Sequence, residues 1–483
     1  MITLFRKYIA LNTTNGFYAF GGITALSAWF AWITNNMFLM GLPFAILLCL
    51  LILINFRAAF LLLIFCLPLS IEYEIGSHLA TDLPTEPLML ILMLAGWLYL
   101  LANPKVLPQG FVKHPILQVL YLHLLWIGVC VIYSQFFVVS LKFLLAKTWY
   151  ITVFVFLTAL FVKNERQYKA IFWCLFVPLL AIIIRTFVRH YTYDFDFVKA
   201  NIVMLPFFRN HVNYAVTLVA FFPFLWNSLY WYKADSAKGI LVRLGIGVFL
   251  VGIFYSYTRA AYACVLAMPF AYLFFRLRLT RYLATIGITF LIVAGIYYSI
   301  DNRYLNLAPN FERTIYHQNL GDHLSATFDG TDVSFMERIY RWVAAVKMSA
   351  DHPIVGFGPG NFYNFYQYYT VTGFKTYVSD NPEKSGVHNY FLMTTVEQGY
   401  VGVAIFIALL IAFFVNGERI YQLQTTPEQR RFVMCLLVSQ FVIFLNITMS
   451  DLIEVDKIGS LFFMNIAMLI NQDRQNVIMN YKL

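Results

Sequence analysis

Apolar residues in this chain come in long runs, at 17–34, 37–55, 58–71, 88–102, 115–133, 140–162, 169–187, 212–230, 240–256, 260–275, 282–299, 389–415, 431–449 and 457–471. Most approach the ~20 residues that carry a helix across a bilayer. The pattern predicts an all-α polytopic integral membrane protein of about 12–14 transmembrane helices, with 58–71 short enough to merge with its predecessor. The interval 300–388 is different and reads as one large, partly helical loop. The chain therefore divides into N-terminal transmembrane helices (1–299), the loop (300–388) and C-terminal transmembrane helices with a tail (389–483).

Composition narrows the class. Of 483 residues, 60% are hydrophobic and only 12% charged, about half the charged share of an ordinary soluble domain. That excludes a soluble multidomain enzyme, a nucleic-acid binder and a secreted disulfide scaffold. The six cysteines all lie inside apolar runs without ligand spacing and read as small core residues. The first run lacks a clear cleavage site and reads as a span rather than a removed leader.

The net charge of +10 matters through its placement. Starting from a cytoplasmic Arg6 and Lys7, alternate loops carry Arg57; Lys105 and Lys113; Lys163, Arg166 and Lys169; Lys233, Lys238 and Arg243; Arg276, Arg278 and Arg281; then Arg419, Arg430 and Arg431. The tail adds Arg474 and Lys482. Two opposing loops are acidic, one with Glu72, Glu74, Asp82 and Glu86, the other with Asp451, Glu454 and Asp456. The positive-inside rule then puts both termini in the cytoplasm and the long loop outside.

Within the loop, Ser334 and Glu337 form a capping box, and Ile339, Trp342, Val343 and Val346 an apolar stripe. Asp351-His352-Pro353 ends that helix. Arg338 and Arg341, three apart, share one side of it. A glycine-rich turn follows, Gly356-Phe357-Gly358-Pro359-Gly360-Asn361.

Four features share the outer face: Phe207-Phe208-Arg209-Asn210-His211, Tyr257-Thr258-Arg259-Ala260, the loop helix, and His388-Asn389. Several cations and an imidazole together suit an anionic lipid headgroup, above all a phosphate or pyrophosphate. Singly, each has a plainer reading. An outer-loop Arg ordinarily faces headgroups, and Lys142 and Lys147 snorkel outward from the sixth span. The glycine run lacks the Lys-Ser/Thr of a phosphate loop. Arg259 resists such a reading, because its turn has almost no other polar residue and a charge drawn to mid-depth costs about 2.5–3.5 kcal/mol. Glu397, inside the twelfth span, is a functional candidate as an intramembrane carboxylate. Asp322, Asp329 and Asp332 are poorly spaced for a divalent ion, so the site is read as metal-free and without a cofactor. The aromatic stretch Phe362 to Tyr369 reads as an interfacial belt, with sugar stacking as its alternative.

His388-Asn389, nine residues, then Gly399-Tyr400-Val401-Gly402 resembles the HN-x9-G-x-x-G signature of the O-antigen ligase and polymerase superfamily. The Thr258-Arg259-Ala260-Ala261 turn is similar to that family's Ser-Arg-Gly-Ala, with Thr258 and Ala260 as departures. The Glu337-Arg338…Trp342 helix and the turn from Gly356 to Phe362 also resemble the family's late loop. The resemblance covers mainly residues 200–470.

It implies a membrane glycosyltransferase of the bacterial inner membrane, with a periplasmic site and an undecaprenyl-pyrophosphate-linked glycan as donor. The acceptor separates the branches: lipid A core for a ligase, a growing glycan for a polymerase, a protein hydroxyl for an oligosaccharyltransferase. Ligase is favoured. Guanidinium groups of Arg209, Arg259 and Arg338 would stabilise the departing pyrophosphate, and His388 would take the acceptor's proton. Asn389, Arg341, His211 and Gly358 would bind substrate. Membrane lipid is the surrounding partner. A transporter or flippase is the rival from another class, and Glu397 is the residue that suits it.

Overall fold

The computed structural model describes residues 13–75, 79–107, 110–301, 303, 333–370, 377–381 and 385–480. Among the described residues, nine helices are long and apolar enough to cross a membrane, as an all-α polytopic membrane protein requires. The chain forms two compact units, Met1–Cys66 and Leu67–Leu483.

The first unit holds α1 (Thr13–Ile33) and α2 (Leu42–Cys66). α2 takes in most of the runs expected separately at 37–55 and 58–71, because the break between them is a bend rather than a loop. Asn55 leaves helical geometry (φ −151°, ψ 83°), and its Oδ1 accepts the Ala58 N–H at 3.1 Å. An asparagine so placed is an N-cap, from which the second half of the helix starts afresh. The expected number of crossings falls by one, so counting alone no longer brings both termini to the same side.

The second unit opens with a β-hairpin, β1 (Ile71–Ile75) and β2 (Leu79–Leu83), antiparallel with Glu72 opposite Asp82 and Tyr73 opposite Thr81. There follow α3 (Thr85–Ala102), α4 (Pro115–Ile132) and α5 (Phe137–Phe161, π-helical over Ile151–Leu157). Next come α6 (Glu165–Tyr191), α7 (His211–Ser228), α8 (Ala237–Phe254), α9 (Arg259–Arg276) and α10 (Thr280–Ser299). The loop contributes α11 (Val333–Asp351), and the chain closes with α12 (Tyr390–Leu423), α13 (Pro427–Ile447) and α14 (Asp456–Asn480). Asn164, Asn210, Ser236 and Thr426 start α6, α7, α8 and α13, each side chain accepting the N–H three residues on.

α7, α13 and α14 form the centre of this unit, packed side by side. α7, and α14 as far as Asp473, are buried on nearly every side, the signature of an interior helix. α10 is the opposite: only 6% of its apolar stretch is buried, leaving Ile286, Phe290 and Leu291 exposed. An apolar helical surface of that extent is at home in lipid.

α11 ends at Asp351, as its Asp-His-Pro signal predicts. Tyr340, Ala344, Ala345 and Met348 close on Phe357, Phe362, Tyr366 and Val396, giving the loop its own core over the start of α12. Of the expected stripe, Val343 is buried and Ile339, Trp342 and Val346 are half-buried, with Trp342 packed against this core. The Ser334 side chain of the expected capping box lies outside what is described.

Candidate functional site

His388 stands where the loop turns into α12. Asn389 caps that helix, its Oδ1 accepting the N–H groups of Phe391 and Leu392, both at 3.0 Å. His388 itself is left-handed (φ 57°), a conformation a side chain adopts only when its surroundings impose it. The surroundings are Asp451, just past α13, whose Oδ2 accepts the His388 N–H at 2.9 Å. Gly386 makes the approach possible, since a Cβ there would stand 2.2 Å from Asp451 Oδ2.

Burial, then the charges of Arg341 and Arg338 on α11, pull the His388 imidazole down to about 3. It is therefore a neutral base across the physiological range. Arg341 is itself buried, with its Nε lacking a hydrogen-bond partner. Burial pushes the Asp451 carboxyl up to about 6, against the pull of the His388 and Asn389 N–H groups and of Arg341. The loop helix thus delivers both expected arginines to the expected histidine. Asp451 was legible only as one acid in a short loop.

The spacing between His388 and Gly399 acquires a structural reason. α12 is broken at Gly399 (φ 71°, ψ −178°), backbone geometry open essentially to glycine alone. The glycine turn of the loop enters this break. Phe357 N–H donates to Val396 O (2.9 Å), Gly358 N–H to Glu397 O (3.0 Å), and Tyr400 N–H to Pro353 O (2.8 Å). Trp126 Nε1–H donates to Gln398 O at 2.9 Å. The carbonyls of Val396, Glu397 and Gln398 at the break are thereby satisfied, as broken backbone at membrane depth requires. Gly358, expected to bind substrate, has its N–H committed here and its α-carbon against Ser134. Glu397 accepts the Phe362 N–H at 3.2 Å and is stabilised by the Gly360 N–H. It is a strut for the turn, and it is the residue on which the transporter reading leaned.

The segments that carry the other two arginines are joined by a bond between neighbouring residues. Thr258 Oγ1 donates to the His211 carbonyl at 3.4 Å, which joins the turn before α9 to the Arg209–His211 segment. His211 Nδ1 lies 2.6 Å from Asn201 Oδ1. Arg259 is half-buried and Arg209 exposed. Arg209 and Phe207 line a cavity of about 520 Å³ together with Glu72, Glu74, Asp82 and Lys457, a size typical of ligand pockets. The acidic hairpin and the Arg209 segment therefore share one face.

Glu454 reaches from the cavity wall into the His388 region. It accepts from Tyr390 Oη at 2.8 Å and pairs with Lys147 Nζ at 2.6 Å. Lys147 does not snorkel outward: it is buried, and Glu454 compensates its charge. The aromatic stretch is mostly neither belt nor sugar platform, since Phe362 and Tyr366 belong to the loop core. Tyr363 and Tyr368 are exposed. Asp322, Asp329 and Asp332 lie outside the described residues.

The fold and site together define a polytopic membrane protein with an arginine-flanked imidazole where a folded loop joins a broken span. No curated protein matches the chain. Residues 244–407 match the family model described as O-Antigen ligase, from within α8 to within α12. That stretch carries Arg259, Arg338, Arg341 and His388, and over it the chain is similar to the O-antigen ligase family, a family of glycosyltransferase-like membrane enzymes.

Proposed function

We propose that this protein is an O-antigen ligase-like glycosyltransferase. It moves a glycan from undecaprenyl pyrophosphate to an acceptor hydroxyl, that of lipid A core, at the periplasmic face. The observation that carries this reading is the placing of His388 beside Arg338 and Arg341 where the folded loop enters the broken span, at the His-Asn position of the family's signature. The acceptor oxygen attacks the anomeric carbon as the bond to pyrophosphate breaks, and its proton passes to the His388 ring. Charge grows on the leaving pyrophosphate, where Arg209, Arg259 and Arg338 stabilise it, with Arg341 behind. Direct attack inverts the anomeric centre. The cavity beside Arg209 holds the sugars next to the pyrophosphate.

The test is where glycan accumulates when the gene is deleted and then restored. Long chains stranded on undecaprenyl in the deletion, and moved to lipid A by the wild type, are the expected result. Single repeats still reaching lipid A core would replace this reading with a repeat-unit polymerase of the same superfamily.

The pH dependence follows from the two shifted groups. His388 stays neutral down to about 3, so the acid limb of kcat/KM belongs to Asp451, with a midpoint near 6. Protonating Asp451 turns its charge-assisted hold on the His388 N–H into an ordinary bond, about half as strong. A few-fold fall between pH 7 and 5 is expected, absent in Asp451→Asn. A limb at pH 6–7 that survives Asp451→Asn would assign the titration to His388 and overturn this account. For stability, the depressed His388 contribution is full above its unfolded pKa of about 6.5 and is lost as pH falls toward 3.

A further inference from the structure

α6 runs 27 residues, about 40 Å at 1.5 Å per residue. At its C-terminal end Arg185 and Arg189 both donate to the Leu205 carbonyl, beside the cavity of the candidate site. At its N-terminal end lies a separate recess of about 470 Å³, lined by Arg166, Lys169, Lys238, Glu165, Trp173 and Tyr232. α6 and α8 both begin at this recess, after Asn164 and Ser236. Two helix N-termini therefore add their positive ends to three cationic side chains.

Only one of those cations is compensated: Glu165 pairs with Lys169 at 2.6 Å. Arg166 and Lys238 have no carboxylate partner among the described residues. Trp173 Nε1–H donates to Tyr232 Oη at 2.9 Å, which fixes an aromatic wall that Lys169 and Lys238 both approach. Ends of membrane-crossing helices stand at headgroup depth, where Trp and Tyr are at home. Topogenic lysines need only be exposed, whereas these are gathered around a walled recess.

We infer that this recess is a binding site for the headgroup of an anionic phospholipid, on the face opposite the candidate active site. The two uncompensated cations and the helix ends take phosphodiester oxygens, and the aromatic wall carries the glycerol backbone. A headgroup with two phosphates satisfies both cations at once. Zwitterionic lipid, with its own ammonium, does not. The inference stands whether or not the glycan-transfer reading holds.

The test uses the full-length protein in phosphatidylcholine vesicles doped with cardiolipin, phosphatidylglycerol or phosphatidylethanolamine, with co-purifying lipid counted by native mass spectrometry. Cardiolipin should be retained over phosphatidylethanolamine. Arg166→Gln with Lys238→Gln should weaken that retention about 25-fold, at about five-fold per charge. Lys113→Gln, which removes a cation of the same face outside the recess, should leave it unchanged. Equal retention by the double variant and the wild type would overturn the site. Complete displacement of cardiolipin by millimolar inorganic phosphate would overturn the assignment to lipid.

Discussion

Replacing His388 by alanine is expected to lower glycan transfer by about 10²–10⁴-fold while the folded protein stays at its wild-type level. What the fold holds at this position is the backbone: Asp451 accepts the His388 N–H, and Asn389 caps α12 with its own side chain. Alanine keeps that N–H, and the left-handed conformation (φ 57°) costs it about 1–2 kcal/mol. The change therefore removes the base and leaves the clamp. Transfer by purified protein to a defined acceptor, with thermal unfolding in parallel, separates the two effects. Wild-type turnover in the alanine variant would remove His388 from the chemistry, however well the family signature fits.

A second large effect is expected at Gly399, and of the opposite kind. A Cβ at Gly399 would stand 1.9 Å from the Ile354 carbonyl oxygen and 2.8 Å from that of Pro353, both rigid backbone. Its φ of 71° with ψ of −178° adds about 1–3 kcal/mol of strain for any other residue. Gly399→Ala must therefore push the glycine turn out of α12, exposing the carbonyls of Val396 and Glu397. A loss above about 3 kcal/mol is expected, read as a collapse in the yield of folded protein and in apparent Tm. Gly128→Ala is the control: nothing lies within 4 Å of its would-be Cβ, so a neutral or slightly stabilising effect is expected. If Gly399→Ala unfolds no more easily than Gly128→Ala, the turn is not held as described.

Much of this was legible from the chain because the signals are local. A run of apolar residues announces a span wherever it packs, and the Asp351-His352-Pro353 stop marked the end of α11 correctly. The hairpin carried a signal that an acidic-loop reading passed over, since Ile71, Tyr73 and Ile75 alternate with Glu72 and Glu74. Asn55 shows the limit of run-length reading, because a polar residue between two apolar runs serves equally as a loop or as an internal cap. Partners far apart in the chain were invisible. Lys147 reads as a snorkelling residue until Glu454, 307 positions later, is seen beside it. Glu397 reads as a transport residue until the turn from Gly356 to Phe362 is seen on it. The His-Asn-to-Gly spacing was recognisable by resemblance, but its reason lay in contacts between segments that no periodicity links.

The short stretch 451–457 also bears on how the protein is made. Asp451 clamps His388, Glu454 compensates Lys147, Asp456 accepts from Thr85 at 2.9 Å, and Lys457 donates to Ser70 Oγ at 2.6 Å. The last two bonds join residues 371 and 387 positions apart. A ribosome delivers the early partners long before the late ones. During that interval the nascent chain carries an ammonium at Lys147 inside its membrane portion with no counter-charge. α5 settles only when the final hairpin of helices arrives, so assembly of the whole bundle waits on the synthesis of that hairpin. A chain that stops after α13 leaves Lys147 exposed to quality control, and a complete chain conceals it.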